Sequence, residues 1–438
     1  MNKSMLKELP QLVNAGVITQ ETAERIILHY KQEKQTAPNN LTIILGILGA
    51  LLAGSGILLI VAHNWDDLSV TIKTALAFLP LLLAQLACAY TLSQRRSDTT
   101  WRECSSLFLF FAIGASISLI SQIYQVNGSL SGFLLIWMLL ALPLVYLLSA
   151  RTVALFCIAG ITWYATDIGY DRYGSIPFMY LLVLAVLIPH YYKLYKKNPE
   201  GNFYHLFNWF TAISVAITLG CFANHDEHVE EWLFLQYCLL FCIYYFLGRT
   251  SFFQSKNLFA NPFLIIGTLG IITTLLFWSF SFIWNEDKIP GADQVYNNLL
   301  FYLMGAGLIL LAFMAWKNYV RQKEQMPDPI GYSFIVLLLL LVFMQNAIST
   351  AIFIVNAWTV LIGIYFIQKG AVKNHLGIVN LGLTIIASLA ICRFFDDRIP
   401  FVWRGIFFLA TGIAFFVANY LLIRKRKQQV TLQNNDQP

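Results

Sequence analysis

The chain has 438 residues, of which 58% are hydrophobic, 15% aromatic and only 12% charged. A soluble domain carries roughly 25% charged residues. A soluble enzyme, a disordered regulator and a nucleic-acid binder are therefore excluded, and an integral membrane protein whose apolar surplus faces lipid remains. The net charge of +6, from 29 basic and 23 acidic residues, is small for the length, so its distribution carries more information than its size.

Residues 1–37 read as a short cytoplasmic prefix forming a helical hairpin. Apolar positions from Ser4 to Asn14 recur at helical spacing and stop at Gly16, a natural C′ residue. Thr19 then N-caps a second helix running to about Lys34, with Ile26, Ile27 and Tyr30 on one face. Five basic and four acidic residues in this prefix are too balanced for a nucleic-acid footprint. They suit an amphipathic hairpin lying on the membrane or on the rest of the protein.

Fourteen apolar runs follow, at 41–62, 70–92, 104–124, 133–149, 152–166, 178–195, 206–223, 232–248, 262–284, 295–316, 332–346, 349–367, 375–393 and 401–423. Each is close to the roughly 20 residues that cross a bilayer core. The expected fold is an all-α polytopic bundle of about fourteen transmembrane helices over 41–423, with a basic then polar cytoplasmic tail at 424–438. The runs 152–166 and 332–346 are short and could be re-entrant or tilted. No loop is long enough to hold a soluble domain, so any active centre must be built from helices and short connections. A cleavable signal is not expected, since the first apolar run starts only at Leu41.

Loop charge sets the orientation. With the N-terminus inside, 23 basic residues fall on the cytoplasmic side and six outside. The net charges are then +13 inside and −7 outside, which supports an even helix count with both termini cytoplasmic. The seven cysteines are scattered. Cys238 and Cys242 lie one helical turn apart, but without a second ligand pair they read as small buried hydrophobes rather than a metal site. No nucleotide-binding, zinc-protease or nucleophile-elbow motif occurs, and no cofactor is expected.

The recurring pattern lies at the outer ends of three odd-numbered runs. His63-Asn64-Trp65-Asp66-Asp67 follows the first, Trp284-Asn285-Glu286-Asp287 the ninth, and Phe394-Phe395-Asp396-Asp397-Arg398 the thirteenth. Each places an aromatic residue before paired acids. An interfacial cap explains one such instance; as a set they are candidate acids at the mouth of a cavity. Lys73 and Arg404 follow Asp66 and Asp396 by seven and eight residues. They can pair with these acids or, with Arg393, bind a substrate phosphate or carboxylate. In the third run Ser118, Gln122 and Gln125 share a helix face, which must look inward if it is to avoid lipid. That face is either helix–helix glue or the wall of a polar pathway. Pro80, Pro143 and Pro189 interrupt three runs, as hinges or packing kinks.

The stretch from Ala62 through His63-Asn64-Trp65-Asp66-Asp67, with Ser121-Gln122-Ile123-Tyr124-Gln125 and Gly128, resembles the bacterial predicted-membrane-protein family called domain of unknown function 2157. Gly16-Val17-Ile18-Thr19 in the prefix resembles it too, and the resemblance covers roughly residues 5–150. It implies a bacterial inner-membrane location and no particular activity.

Two functional classes fit. A transporter or lipid flippase would have a polar pathway at the third run and the outer acids, moving a lipid or small molecule. A membrane-embedded transferase or hydrolase would act on a lipid-linked substrate at the outer face. A structural or sensory protein that binds a partner through its prefix is a further alternative. The bilayer is the expected partner and nucleic acid is not.

Overall fold

The computed structural model describes residues 12–13, 15–23, 25, 65–170, 175–222, 230–250, 252–253, 260–284, 299–321, 328–343 and 347–394, and positions 402, 405–406, 408–409, 412–413 and 416. The runs 41–62 and most of 401–423, the greater part of the prefix, and the tail lie outside them. The chain divides into two compact units, Met1–Leu76 and Ala77–Pro438.

In the first unit, Gly16 has a left-handed φ of +69°. The Gly16 and Val17 amides donate to the Val13 and Leu12 carbonyls, both at 3.0 Å, the paired bonds of a glycine-ended helix. Thr19 Oγ1 accepts from the Thr22 amide at 3.3 Å, as an N-cap does. Leu12, Val13, Gln20–Ala23 and Arg25 are helical; the rest of the predicted hairpin lies outside the described residues.

Every regular element among the described residues is helical. The helices are α1 (Val70–Gln94), α2 (Thr99–Ile123), α3 (Leu130–Leu147), α4 (Arg151–Gly169), α5 (Phe178–Lys197) and α6 (Asn202–Thr218), followed by α7 (Glu230–Gly248), α8 (Pro262–Trp278), α9 (Leu299–Arg321), α10 (Ser333–Phe343), α11 (Ile348–Val372) and α12 (Leu376–Phe394). The division between the units falls inside α1. Among the described residues, eight helices are long and apolar enough to cross a membrane: α1 to α5, α6 with its 3-10 extension to Phe222, α11 and α12. Leucines and isoleucines such as Leu82, Leu86, Leu181 and Ile188 stand exposed on them. A water-facing surface does not sustain so many; lipid does.

The second unit has two cores. The first surrounds α4, whose Val153, Ala154, Cys157, Ile158 and Ile161 are fully buried, with α2, α3, α5 and α6 packed on it. The run 152–166, which reads as short in sequence, is thus the central 19-residue helix of this core. It reads as short because it starts at Arg151 and carries Thr162, Tyr164, Thr166 and Asp167 near its end. The second core surrounds α7 through Leu235, Cys238, Leu239 and Cys242, against α8, α9 and α10. Ala212, Tyr244 and Phe263 join the two cores, with the Tyr244 hydroxyl donating to the Ala212 carbonyl at 3.0 Å. α11 and α12 approach so closely that a Cβ at Gly382 would stand 2.5 Å from the Gly363 carbonyl oxygen, the close backbone contact that small residues permit in membranes.

Two predicted runs are broken. The run 262–284 is α8 to Trp278 and then, past Ser279-Phe280, a 3-10 turn at Ser281–Ile283. The run 332–346 is an 11-residue helix, α10, preceded by a 3-10 turn at Pro329–Tyr332. At 1.5 Å per residue α10 is about 16 Å long, roughly half a bilayer core; residues 344–346 lie outside the described chain. All three intrahelical prolines sit where the sequence placed them, Pro80 in α1, Pro143 in α3 and Pro189 in α5. At two of them the carbonyl three residues earlier takes a hydroxyl from a neighbouring helix. Ser116 Oγ donates to the Ala77 carbonyl at 2.7 Å, and the Tyr146 hydroxyl donates to the Val186 carbonyl. The carbonyl that proline itself leaves without an amide is four residues back, at Leu76 and Ala185, so these hydroxyls bond the carbonyl next to the gap.

Candidate functional site

The turn before α1 carries the first acidic pair. Asp66 and Asp67 are exposed on it, and Trp65 is half-buried. Lys73 pairs with neither acid; its ammonium lies 5.8 Å from the centroid of the Trp65 ring, a cation–π contact. Within this unit the lysine is therefore held by the aromatic belt residue, leaving both carboxylates to solvent. His63, Asp396, Asp397 and Arg404 lie outside the described residues. Arg393 is buried at the break after α8 and α8's 3-10 turn: its guanidinium donates to Ser279 Oγ at 3.0 Å and lies 5.0 Å from the Phe280 ring. That contact ties the end of α12 to the break after α8.

In the second unit, α1, α2 and α3 border an open groove of about 1180 Å³. Ser118 and Gln122 line it. They do not turn inward into a sealed interface, however; both are exposed to the groove. Ser116, on the same helix, is the serine that enters the helix–helix contact. Gln125 leaves the shared face altogether. Its φ is +49°, and the Val126 and Gln125 amides donate back to the Ser121 and Gln122 carbonyls at 2.9 and 3.4 Å, so it is the left-handed C′ residue that ends α2. The helical spacing was right up to Gln122 and failed one turn later, because the helix stops. Asn127 and Ser129 in the following turn complete the polar end, whereas the remainder is lined mainly by apolar side chains such as Leu109, Ile136, Leu140 and Leu144, with Gln85 of α1 among them.

Two charged nodes and one polar stripe escaped the sequence reading. Glu103, on the first turns of α2, caps α4: Oε1 accepts from the Arg151 amide at 3.1 Å and from Arg151 Nε at 2.8 Å, and Oε2 accepts from the Thr152 amide at 3.0 Å. A carboxylate at a helix N-terminus meets both free amides and the positive end of the dipole. The second node is Asp328, whose side chain is 3% exposed. Its carboxylate takes the Arg249 guanidinium from the end of α7, Lys369 Nζ from α11 at 2.7 Å, and the Tyr245 hydroxyl at 2.7 Å. Lys369 also donates to the Tyr365 hydroxyl at 3.0 Å. Both nodes gather helix ends that loop charge assigns to the cytoplasmic side. The available signal was an acid flanked by prolines, Pro327-Asp328-Pro329.

Along α6, Tyr204, Asn208, Ser214 and Thr218 are buried on one face at helical spacing. Ser214 Oγ bonds Thr162 Oγ1 of α4 at 2.6 Å and the Tyr180 hydroxyl of α5 at 2.8 Å, and Tyr191 donates to Asn208 Oδ1 at 2.8 Å. These bonds are satisfied protein to protein, which makes this stripe the internal glue of the first core.

Residues 10–154 match the sequence family described as Predicted membrane protein (DUF2157), the stretch that contains the Trp65-Asp66-Asp67 turn and α1 to α3. Neither the curated proteins nor the solved structures include a match to the chain.

Proposed function

We propose that the chain is a transporter of lipid-flippase type in the bacterial inner membrane, taking an amphipathic solute into the groove between α1, α2 and α3. One observation carries this reading: the groove is polar where α2 ends and α3 begins, and beyond that end its lining is apolar but for Gln85 of α1 and Ser116 of α2. From Leu130 to Leu144 it follows about 21 Å of helix, more than half the roughly 30 Å hydrocarbon core. A small polar solute would leave that length unwetted, whereas a lipid fills it. The positive-inside count, and the gathering of predicted cytoplasmic ends at Glu103 and Asp328, support an orientation with both termini inside and the polar end of the groove outside. On this reading the outer acids Asp66, Asp67, Asp396 and Asp397, with His63, Trp65, Lys73 and Arg404, border the outer leaflet.

The test is lipid movement in proteoliposomes, read by dithionite quenching of tail-labelled lipids. Gln122→Leu is expected to slow exchange between leaflets while leaving insertion and thermal unfolding unchanged, and Asp66→Asn to reduce entry from the outer leaflet. Exchange no faster than in empty liposomes, or native rates in Gln122→Leu, would overturn the proposal. So would an efficient crosslink from a cysteine at position 122 to cysteines in 41–62, because the chain would then fill its own groove.

A further inference from the structure

We infer that the lipid this groove selects has an uncharged, polyhydroxylated headgroup, as a neutral glycolipid has; the inference rests on the groove reading above and names its substrate class. No charged residue lines the groove among the described residues. Its polar end is made of hydroxyls and carboxamides alone, from Ser118, Ser121, Gln122, Asn127 and Ser129. Ser121 donates to the Val126 carbonyl at 3.0 Å, and Ser129 Oγ accepts from the Gly132 amide at 3.1 Å. Ser118, Gln122 and Asn127 have no such engagement with any described residue and are the groups that would meet a ligand.

The chemistry of these groups decides the class. Each carboxamide offers two donor hydrogens and an acceptor oxygen, and a serine hydroxyl both donates and accepts. The complementary headgroup must also do both, since a buried acceptor left unmatched costs free energy. A phosphodiester group itself only accepts, so it does not answer the carboxamide oxygens, and no charged side chain among the described lining residues neutralises it. Sugar hydroxyls donate and accept at every position.

The start of α3 could favour an anion, and Ser129 takes up part of its donor capacity. The Gly132 and Phe133 amides are already taken by Ser129, through Oγ at 3.1 Å and through its carbonyl at 3.0 Å. The carbonyl end of α2, of opposite polarity, reaches the same turn.

The experiment uses the full-length protein in nanodiscs of phosphatidylethanolamine doped with one of two photoactivatable lipids sharing the same diazirine acyl chain. One is monogalactosyl diacylglycerol, and the other is phosphatidylglycerol. Galactolipid labelling is expected on α2 and α3 peptides, competed by unlabelled galactolipid and not by phosphatidylglycerol. Gln122→Leu should lower that labelling about three- to ten-fold, the worth of one or two hydrogen bonds, and Gln122→Asn should restore part of it. Phosphatidylglycerol labelling the same peptides as strongly would overturn the headgroup assignment and leave the lipid groove standing. Absence of α2 and α3 labelling by both probes would overturn the groove itself.

Discussion

Replacing Asp328 by alanine removes the carboxylate on which Arg249, Lys369 and Tyr245 converge. Deleting one partner of a buried ion pair costs about 3–5 kcal/mol, because a charge taken out of water is left without its counter-charge. Here two cations lose it together. Arg249 and Lys369 retain 15% and 22% side-chain exposure, so water recovers part of their solvation and the expected loss is about 3 kcal/mol, the lower end of that range. Lys369→Met leaves Arg249 on the carboxylate and removes one charged hydrogen bond, about 1.5 kcal/mol. Asp328→Ala and Lys369→Met should therefore be non-additive: with the lysine already gone, deleting the acid strands one cation fewer, and the double variant should lose at least about 1 kcal/mol less than the sum. Unfolding midpoints and slopes in a single detergent, read by tryptophan fluorescence against added denaturing surfactant, give all four corners of the cycle. A loss below about 1 kcal/mol for Asp328→Ala, or additivity within about 0.5 kcal/mol, would refute the claim that these side chains form one buried node.

Glu103→Gln keeps the shape of the cap on α4 but removes its charge, and should cost about 1–2 kcal/mol in the same unfolding assay; a neutral result would mean that Arg151 is held mainly by the Phe203 ring, 4.2 Å from its guanidinium carbon. Gln125→Gly relieves a left-handed side-chain position and should stabilise the protein by about 0.5–1 kcal/mol, with lipid exchange unchanged. Destabilisation by that substitution would show that the Gln125 side chain makes a stabilising contact.

The helical architecture was legible because hydrophobic length is a strong signal, and the two local signals in the prefix, Gly16 and Thr19, depend on neighbours within a few residues. The break after Trp278 was not legible, since Ser279 and Phe280 are ordinary membrane residues until Arg393, 114 positions away, meets that serine. Asp328 was hidden for the same reason: its lysine partner lies 41 residues along the chain. Composition could place the acid between two helices and could not say that Asp328 is buried. The candidate polar wall was half legible. Ser118 and Gln122 were found by spacing, whereas the end of α2 at Gln125 depends on a backbone turn that helical periodicity does not report.

The charge count behind the proposed orientation treats each lysine and arginine as an equal vote, but their surroundings differ. Arg151 is bound to Glu103, and Arg249 and Lys369 to Asp328, so reversing any of them perturbs folding as well as topology. Arg95, Arg96, Lys196, Lys197 and Lys373 are exposed, and their contribution is positional, through the bias against carrying cations across the membrane. An orientation experiment by charge reversal is therefore interpretable at these five positions. There, loss of a cytoplasmic accessibility signal without loss of stability reports topology alone. At the three paired positions the same loss reports a broken ion pair first, and an inverted helix only if the unfolding midpoint has not moved.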